Sequence, residues 1–564
     1  NGQIEIGNTG FRFVRIDLLQ TEVNVHIKEA SAILRYRDIP YLGSFRCSDE
    51  RLNQIWMTGA YTVHLNMQEY LWDGIKRDRL IWLGDMHPEV ATIMTVFGDN
   101  EVVPKSIDLA CKQFPLPKWL NNMSAYSMWY LIIQYEWYMH NGDMDYLRKH
   151  RDYIIGLIDR IDECVDKDGN ETLAKSRFLD WPSSPNEAGV EAGYRALLCW
   201  SLDNAEKLCN VLGEKEYAAK SLAIAHRIKK IIKQPNNLKQ AAALMSIAGL
   251  MSPQKACKDV ISVGGAEGFS TFYGYYMLQA LAQSGEYQQA LDIIRQFWGG
   301  MLDLGATTFW EDFNLDWAQN AGRLDEFVPE GKKDIHGDFG AYCYPGFRHS
   351  FCHGWASGPT PWMTQHLLGI EVLEPGCKTL RITPNLCDLE WVEGTFPTPY
   401  GTVYVKHSKG ADGKITIPYD SQEEVYNKFF EELNHAIEIL TENSGSALVA
   451  TADYVYGGNV PKWIKFANSL KLRLAIRISY ANKKLAQEMA ESAVKHEFGV
   501  IESNEDNAKW NYFGTIPNPL YTAVRYNEET SGGDSHVAAD IVCYMNGYAD
   551  ARRAAYFEKS GWED

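Results

Sequence analysis

The sequence predicts a mainly α fold: an (α/α)6 toroid flanked by partial β-sandwich segments, followed by a separate α-helical (TPR-like) fragment. Three observations carry that prediction. Amphipathic helical hairpins of unequal length recur without a fixed-length repeat between residues 44 and 370, which argues against a solenoid. Short alternating runs flank them on both sides, and near residue 416 the pattern switches back to helices. The expected divisions are 1–43 (end of a β-sandwich), 44–370 (catalytic barrel), 371–415 (truncated second sandwich) and 416–564 (helical fragment).

In chain order, Gln3–Ile6 and Gly10–Ile16 alternate as antiparallel strands would. The chain opens on Asn1 with no signal-type segment, so it reads as starting inside that sandwich. Asp49–Met67 reads as a helix, followed by a charged, aromatic loop to Asp85. Three hairpins follow: Ala125–His140 with Met144–Val165, Ala188–Leu212 with Tyr217–Lys233, and Tyr273–Gln283 with Tyr287–Leu302. Their turns carry Asn141-Gly142-Asp143, Gly213-Glu214 and Ser284-Gly285, the residues that end one helix and start the next. In a closed toroid the long aromatic loops at one end line a pocket. Thr379–Thr383 and Gly401–Lys406 alternate as strands; Ser421–Leu440, Lys462–Asn482 and Lys484–Val494 read as helices. No Gly/Ser/Pro-rich linker marks the switch near Ile415, so a truncated fusion or an artificial join is expected there, with a strand edge left to be covered.

Composition narrows the function classes. The 564 residues carry a net charge of −18 with no basic block, a poor match to nucleic acid or anionic lipid. The longest apolar runs, such as Ala241–Met245, fall far short of the roughly 20 residues that span a bilayer. The 17 tryptophans and 31 tyrosines suit either a large core or stacking on sugar rings. Eleven cysteines form no CxxC pair and no zinc-ligand spacing; Cys111, Cys164, Cys199 and Cys209 sit in apolar helical patterns as small core residues. No metal or cofactor set is expected.

The densest chemical signal is Trp72–Asp85. Asp73, Asp78 and Asp85, spaced by five and seven, are interleaved with Lys76, Arg77 and Arg79 and with the tryptophans Trp72 and Trp82. Glycosidic cleavage needs one carboxyl to protonate the leaving oxygen and another to activate water or attack carbon. Crowded acids push one carboxyl pKa up while arginine holds its neighbours ionised. Glu311, in Gly305–Phe313, offers a further carboxylate at a helix end. Asp180-Trp181 is an acid–aromatic pair of the kind that grips a hydroxyl and stacks on a ring, and His349 and His353 flank Ser350-Phe351-Cys352.

On these motifs, in this order, residues 1–410 resemble the C-terminal two-thirds of a bacterial α-L-rhamnosidase of glycoside hydrolase family 78: Asp73 to Asp85, Gly299 to Glu311, and Ser350 to Trp355. The resemblance implies a six-hairpin toroid between β-sandwiches and an inverting hydrolysis that releases terminal L-rhamnose from a rhamnose-containing oligosaccharide or glycoside. It places the general acid at Asp78 and the general base at Glu311. Asp73, Arg77 and Asp85 would hold rhamnose hydroxyls, and Trp82, Trp181, Trp310 and His353 would shape the wall. The family commonly has Glu where this chain has Asp78. Either the backbone stands closer to the leaving oxygen, or a neighbour such as Asp85 takes the acid role.

The run Asp453–Ser479 resembles the SusD/RagB outer-membrane glycan-binding family, whose members act beside a TonB-dependent transporter. Here Asn459-Val460-Pro461 opens a helix, and Trp463, Phe466, Leu470 and Leu474 recur at core-packing spacing. Both families work on plant polysaccharides in Gram-negative bacteria, which implies a periplasmic or outer-membrane-associated setting, without direct membrane insertion by this chain. The alternative function is a non-enzymatic glycan-binding protein, or an inactive truncated fusion.

Overall fold

The structure is a computed structural model; it describes residues 4–5, 7, 10–11, 14–17, 19, 25–173, 177–410, 415–416 and 422–510. The chain divides into two compact units, Asn1–Pro418 and Tyr419–Asp564.

The first unit holds fourteen α-helices among its described residues: α1 Glu50–Asn66, α2 Met86–Val96, α3 Val102–Gln113, α4 Ser124–Asn141, α5 Met144–Lys149, α6 Arg151–Glu163, α7 Glu187–Leu212, α8 Lys215–Ile228, α9 Lys239–Ile247, α10 Pro253–Ala256, α11 Gly274–Ser284, α12 Tyr287–Asp303, α13 Leu315–Ala318 and α14 Pro359–His366. Their ends follow local chemistry. Asp49 caps α1 by accepting from the Arg51 N–H at 2.9 Å, and Asp143 caps α5 through Tyr146 N at 2.9 Å. Gly142 and Gly213 end α4 and α7 in the left-handed region (φ 71° and 81°) that glycine adopts without a Cβ penalty.

Two boundaries depart from the sequence reading, both for tertiary reasons. The helix expected over Met144–Val165 is broken at His150, whose ring reaches Asp108 Oδ1 (2.8 Å) and the Tyr130 hydroxyl (3.0 Å). Helix α8 stops at Ile228 rather than Lys233. The buried Arg195 guanidinium, from the neighbouring α7, donates to the carbonyls of Ile228 (2.8 Å) and Ile231 (3.2 Å), as a C-terminal cap does.

The aromatic surplus is spent mainly on the toroid interior. Trp56, Trp129, Trp137, Trp298, Trp310 and Trp362 are fully buried. Trp129 stacks on Tyr276 and meets His87 with centroids 5.0 Å apart in each case, and crosses Trp200 edge-to-face at 5.5 Å. Phe272 stacks on Trp355 at 4.9 Å, which leads from this core to the site described below.

The strands form a four-stranded antiparallel sheet, in the order β1 (Ser44–Cys47), β4 (Trp391–Thr398), β5 (Gly401–Lys409), β6 (Ile415–Thr416), and a two-stranded one of β2 (Ile370–Val372) and β3 (Leu380–Ile382). Strand β1, ahead of all the helices, pairs with β4, beyond all fourteen, and so closes the unit. Gly394 is needed there: a Cβ would meet the Ser44 carbonyl oxygen at 2.2 Å. The strands expected before residue 44 are not found among the described residues, and parts of both alternating runs lie outside those residues. An alternating run becomes a strand only against a partner. Instead, the Leu42 and Gly43 N–H groups end on the Val96 carbonyl, at 2.8 and 2.9 Å.

The second unit contains α15 (Gln422–Glu442), α16 (Val460–Arg477) and α17 (Lys483–Val494) among its described residues. Asn459 caps α16 through Lys462 N at 3.1 Å, with Pro461 in the first turn. The buried face of α16 is Val460, Ile464, Ala467, Asn468, Lys471 and Ala475, rotated from the expected Trp463, Phe466, Leu470 and Leu474 stripe. Trp463 sits on the flank, where its indole N–H donates to Asp453 at 2.8 Å and its ring meets Tyr456 edge-to-face. Among the described residues no helix is long and apolar enough to cross a membrane.

Trp129→Ala is expected to destabilise the first unit by about 3–5 kcal/mol, read as a lower urea midpoint at unchanged m-value. Trp181→Ala, at a position 41% exposed, is expected to stay within about 0.5 kcal/mol of the parent.

Candidate functional site

Three segments far apart in sequence are laced together by backbone hydrogen bonds. Residues 73–85 join α1 to α2, residues 304–314 follow α12, and residues 349–357 precede α14. Gly74 bridges His353, Ile75 N donates to the Cys352 carbonyl (3.2 Å), and Gly354 N donates to the Asp73 carbonyl (2.9 Å). Glu311 N reaches the Ser350 carbonyl (2.9 Å), and His353 N the Phe309 carbonyl (3.0 Å). Side chains from all three segments therefore meet at fixed heights.

Asp73 organises its own loop. Its Oδ2 accepts from Asp78 N and its Oδ1 from Leu80 N, both at 2.9 Å. Burial alone would raise this carboxyl, but His353 and the two N–H donors outweigh it and hold it below its ordinary range. Glu311 is buried, with Oε1 accepting from Arg77 Nη2 at 2.7 Å and Oε2 from Ser350 N at 3.0 Å. Desolvation pushes it up, against the pull of His353 and Arg77. Asp85 takes the Tyr126 hydroxyl at 2.7 Å, and its burial lifts it to about 7.

His353 stands between these acids. Its Nε2 lies 3.6 Å from Asp73 Oδ2, 3.8 Å from Asp85 Oδ2 and 3.8 Å from Glu311 Oε1. Burial would lower the imidazole, but the three carboxylates overcome it and raise its pKa. Arg77 supplies the second cation. Nη2 holds Glu311, Nη1 holds Asp78 at 3.0 Å, Nε donates to the Arg348 carbonyl at 3.0 Å, and the guanidinium lies over the Tyr344 ring. The Asp78 side chain is 37% exposed, the most open of the acids at this site. Asp73, Asp85 and His353 offer ligand atoms within 4.8 Å of one another, the one set among the described residues with spacing for a cation.

The fold thus brings together Asp73, Arg77, Asp78, Asp85, Glu311 and His353. Trp82 is half-buried and meets Tyr126, the partner of Asp85, edge-to-face at 5.8 Å. Trp181 is exposed and joins the same group through Phe178, at 5.0 Å. Trp310 is fully buried, packed edge-to-face against Phe351 and Phe313. Asp180 turns inward: Ser270 Oγ (2.6 Å), Gln240 Nε2 (3.1 Å) and Ser183 N (3.0 Å) satisfy it, and no hydroxyl-gripping role is left. His349 is a core residue that accepts from Asp312 N at 2.9 Å.

Sequence reasoning missed three groups. Tyr126 carried no motif. Asp312, beside Glu311, is buried with its carboxyl raised to about 7 and accepts from the Tyr342 hydroxyl; two adjacent acids in an aromatic loop were its signal. Glu89 lies one helical turn after Asp85, fully buried.

Residues 40–247 match the family model described as bacterial alpha-L-rhamnosidase 6 hairpin glycosidase domain, and residues 398–564 match that of Susd and RagB outer membrane lipoprotein. The two matches fall on separate stretches of the chain. A curated alpha-L-rhamnosidase of Alteromonas sp. (strain LOR) is 24% identical over 461 residues, 73% of this chain and 47% of that protein. The crystal structure of a GH78 family rhamnosidase of Bacillus sp. GL1 matches with a TM-score of 0.55 at 22% identity, over 67% of this chain and 42% of that one. The Streptomyces avermitilis alpha-L-rhamnosidase complexed with L-rhamnose matches with a TM-score of 0.53 at 16% identity, over 67% and 37%. The chain spans about half the length of the curated relatives it matches. The helical toroid of this first unit is the fold these rhamnosidases share.

Asp85 generates a pH prediction. Its native carboxyl titrates near 7, against about 3.9 in an unfolded chain. The native state therefore keeps a proton that the unfolded chain has lost, and this residue's contribution grows unfavourable as pH rises from about 4 to about 7. Asp85→Asn cannot ionise, so it is expected to raise the thermal midpoint relative to the parent at about pH 7.5 and to differ little at about pH 4. An equal gain at both pH values would contradict the raised carboxyl.

Proposed function

We propose that the first unit is a glycoside hydrolase that releases terminal α-L-rhamnose from glycans or glycosides by single-displacement, inverting hydrolysis. The observation that carries the reading is the Arg77 bridge, one terminal nitrogen on Asp78 and the other on Glu311. One guanidinium thereby holds both carboxyls at one site, where one can serve the leaving oxygen and the other a water on the opposite face of the sugar. Glu311, ionised against Arg77 and His353, takes a proton from that water as it attacks the anomeric carbon. Asp78, the exposed acid, gives its proton to the leaving oxygen, once the incoming glycoside has drawn Arg77 from it. Asp73, Asp85 and His353 take the sugar hydroxyls, and Trp82 and Trp181 offer apolar surface to the 6-methyl group. The co-crystallised L-rhamnose of the Streptomyces relative supports the substrate class.

The SusD/RagB match favours a setting at the outer membrane, with a TonB-dependent transporter as a partner of the second unit. Glycan binding without cleavage is the second reading, favoured by that match alone.

Glu311→Gln is expected to lower kcat on an aryl α-L-rhamnoside by about 10²–10⁴-fold, the usual worth of a general base. Proton NMR should show β-L-rhamnose as the first product of the parent enzyme; α-L-rhamnose appearing first would overturn inversion. Asp78→Asn should lower the rate on alkyl rhamnosides far more than on those with an acidic phenol, which needs no protonation. If Asp85→Asn gives that pattern instead, Asp85 is the acid.

A further inference from the structure

The proposed mechanism leaves two buried acids beside this site idle, Asp312, which accepts from the Tyr342 hydroxyl, and Glu89. Glu89 projects from the first turn of α2, fully buried, and neither carboxyl oxygen makes a well-formed hydrogen bond among the described residues, the Asn66 side chain being the neighbour that favours its charged form. A buried polar group without a partner costs about 1–3 kcal/mol, so its retention needs a reason. The adjacent Asn66 amide is turned to the Asp73 carbonyl (3.3 Å), and the Cys352 thiol to the Asn66 carbonyl oxygen (3.7 Å).

The space around Glu89 is matched to a single neighbour. A Cβ on Gly354 would lie 1.8 Å from Glu89 Oε1 and 2.5 Å from its Cδ. Gly354 is not in the left-handed region, so glycine is required at 354 by the approach of this carboxyl and not by the backbone. Gly354 is also where two catalytic segments cross. Its N–H holds the Asp73 carbonyl, and its neighbour His353 bridges Gly74. Burial and the nearby Asp85 and Asp73 push the Glu89 carboxyl well above its ordinary range.

We propose that Glu89 is a positioning residue: its carboxyl, wedged against Gly354, sets where loops 73–78 and 350–354 cross, and so where His353 Nε2 stands among Asp73, Asp85 and Glu311. This rests on the hydrolase reading for its consequence in rate, but not for its consequence at His353. The role is one of shape and neutral polarity, not of charge.

The test uses the full chain with Glu89→Gln, Glu89→Leu, Gly354→Ala and the pair Glu89→Ala with Gly354→Ala. Readouts are kcat and KM on an aryl α-L-rhamnoside and the His353 imidazole titration by NMR. Glu89→Gln keeps the shape and the neutral polarity and is expected to hold kcat within about threefold of the parent, with His353 titrating as before. Glu89→Leu and Gly354→Ala are expected to lose about 10²-fold in kcat, the effect of moving catalytic groups by the order of 1 Å. In both, His353 should titrate at lower pH, as it leaves its carboxylates. Should Glu89→Leu not fold, Gly354→Ala and the pair decide. The pair relieves the clash without restoring the carboxyl, so His353 should still titrate low. A parent-like titration in the pair or in Glu89→Leu would reduce Glu89 to a space filler and overturn the proposal, as would a Glu89→Gln as damaged as Glu89→Leu. A parent protein that leaves the rhamnoside uncut would overturn the hydrolase reading alone, because the titration reports on Glu89 independently.

Discussion

A buried imidazole surrounded by three carboxylates within 3.8 Å is the constraint around which the first unit is arranged. At an effective dielectric of about 20, unit charges 4 Å apart interact by about 4 kcal/mol. The acids repel one another on that same scale, so without a cation at their centre the group would hold protons in place of charge. His353 offsets the acids from inside and Arg77 from the rim, and each carboxyl settles at a different affinity for protons. Asp73, which also receives two backbone N–H groups, is held ionised, whereas Asp85, with a single tyrosine hydroxyl, is left near 7. Such spreading of neighbouring acids is what lets one fold carry proton donors and acceptors together.

That charge arrangement depends on distances the helices alone would not fix. The loop after α12 hangs on two donors from the aromatic core: Thr271 Oγ1 and the Trp355 indole both reach the Glu311 carbonyl, at 2.7 and 2.8 Å. Trp355 stacks on Phe272, and through it on the Trp129–Tyr276 core, so the position of the Glu311 backbone is set by the packing of the toroid interior. The tryptophan excess therefore serves the site mainly from behind. Stiff aromatic packing costs little conformational entropy on folding and leaves the catalytic loops one arrangement.

How much of this was legible in the sequence follows from how local each cause is. Asp49, Gly142, Gly213 and Asn459 act within a turn of themselves, and the helix ends they predict are where the structure has them. His150 and Arg195 end helices through partners more than 19 residues away, which no periodicity reports. The clustering of Asp73, Asp78 and Asp85 was legible because they sit with three cations in one short run, whereas Glu311 lies in another segment and was tied to them only by the family resemblance. The burial of Trp310 was not legible, since composition counts rings without saying which way they face, and Asp180 was misread because its three satisfying donors come from three separate segments. The α16 stripe was rotated because Asp453, outside the helix, draws Trp463 to the flank.

Position 78 shows how such a frame constrains chemistry. Asp73 accepts from the N–H groups on both sides of Arg79, whose own backbone takes φ 61°, so the chain is folded over the Asp73 carboxylate. The Cα of residue 78 is thereby fixed, and side-chain length alone decides where its carboxyl stands. Aspartate ends one methylene short of glutamate, about 1.5 Å nearer the backbone. Arg77 precedes it and grips Glu311, so the two carboxyls are tied to one guanidinium. On the proposed hydrolysis, in which the glycoside draws Arg77 from Asp78, an acid one methylene shorter would require the leaving oxygen to come closer to loop 73–80. In that reading a shorter acid in an unmoved frame would restrict substrate shape before it cost any acidity.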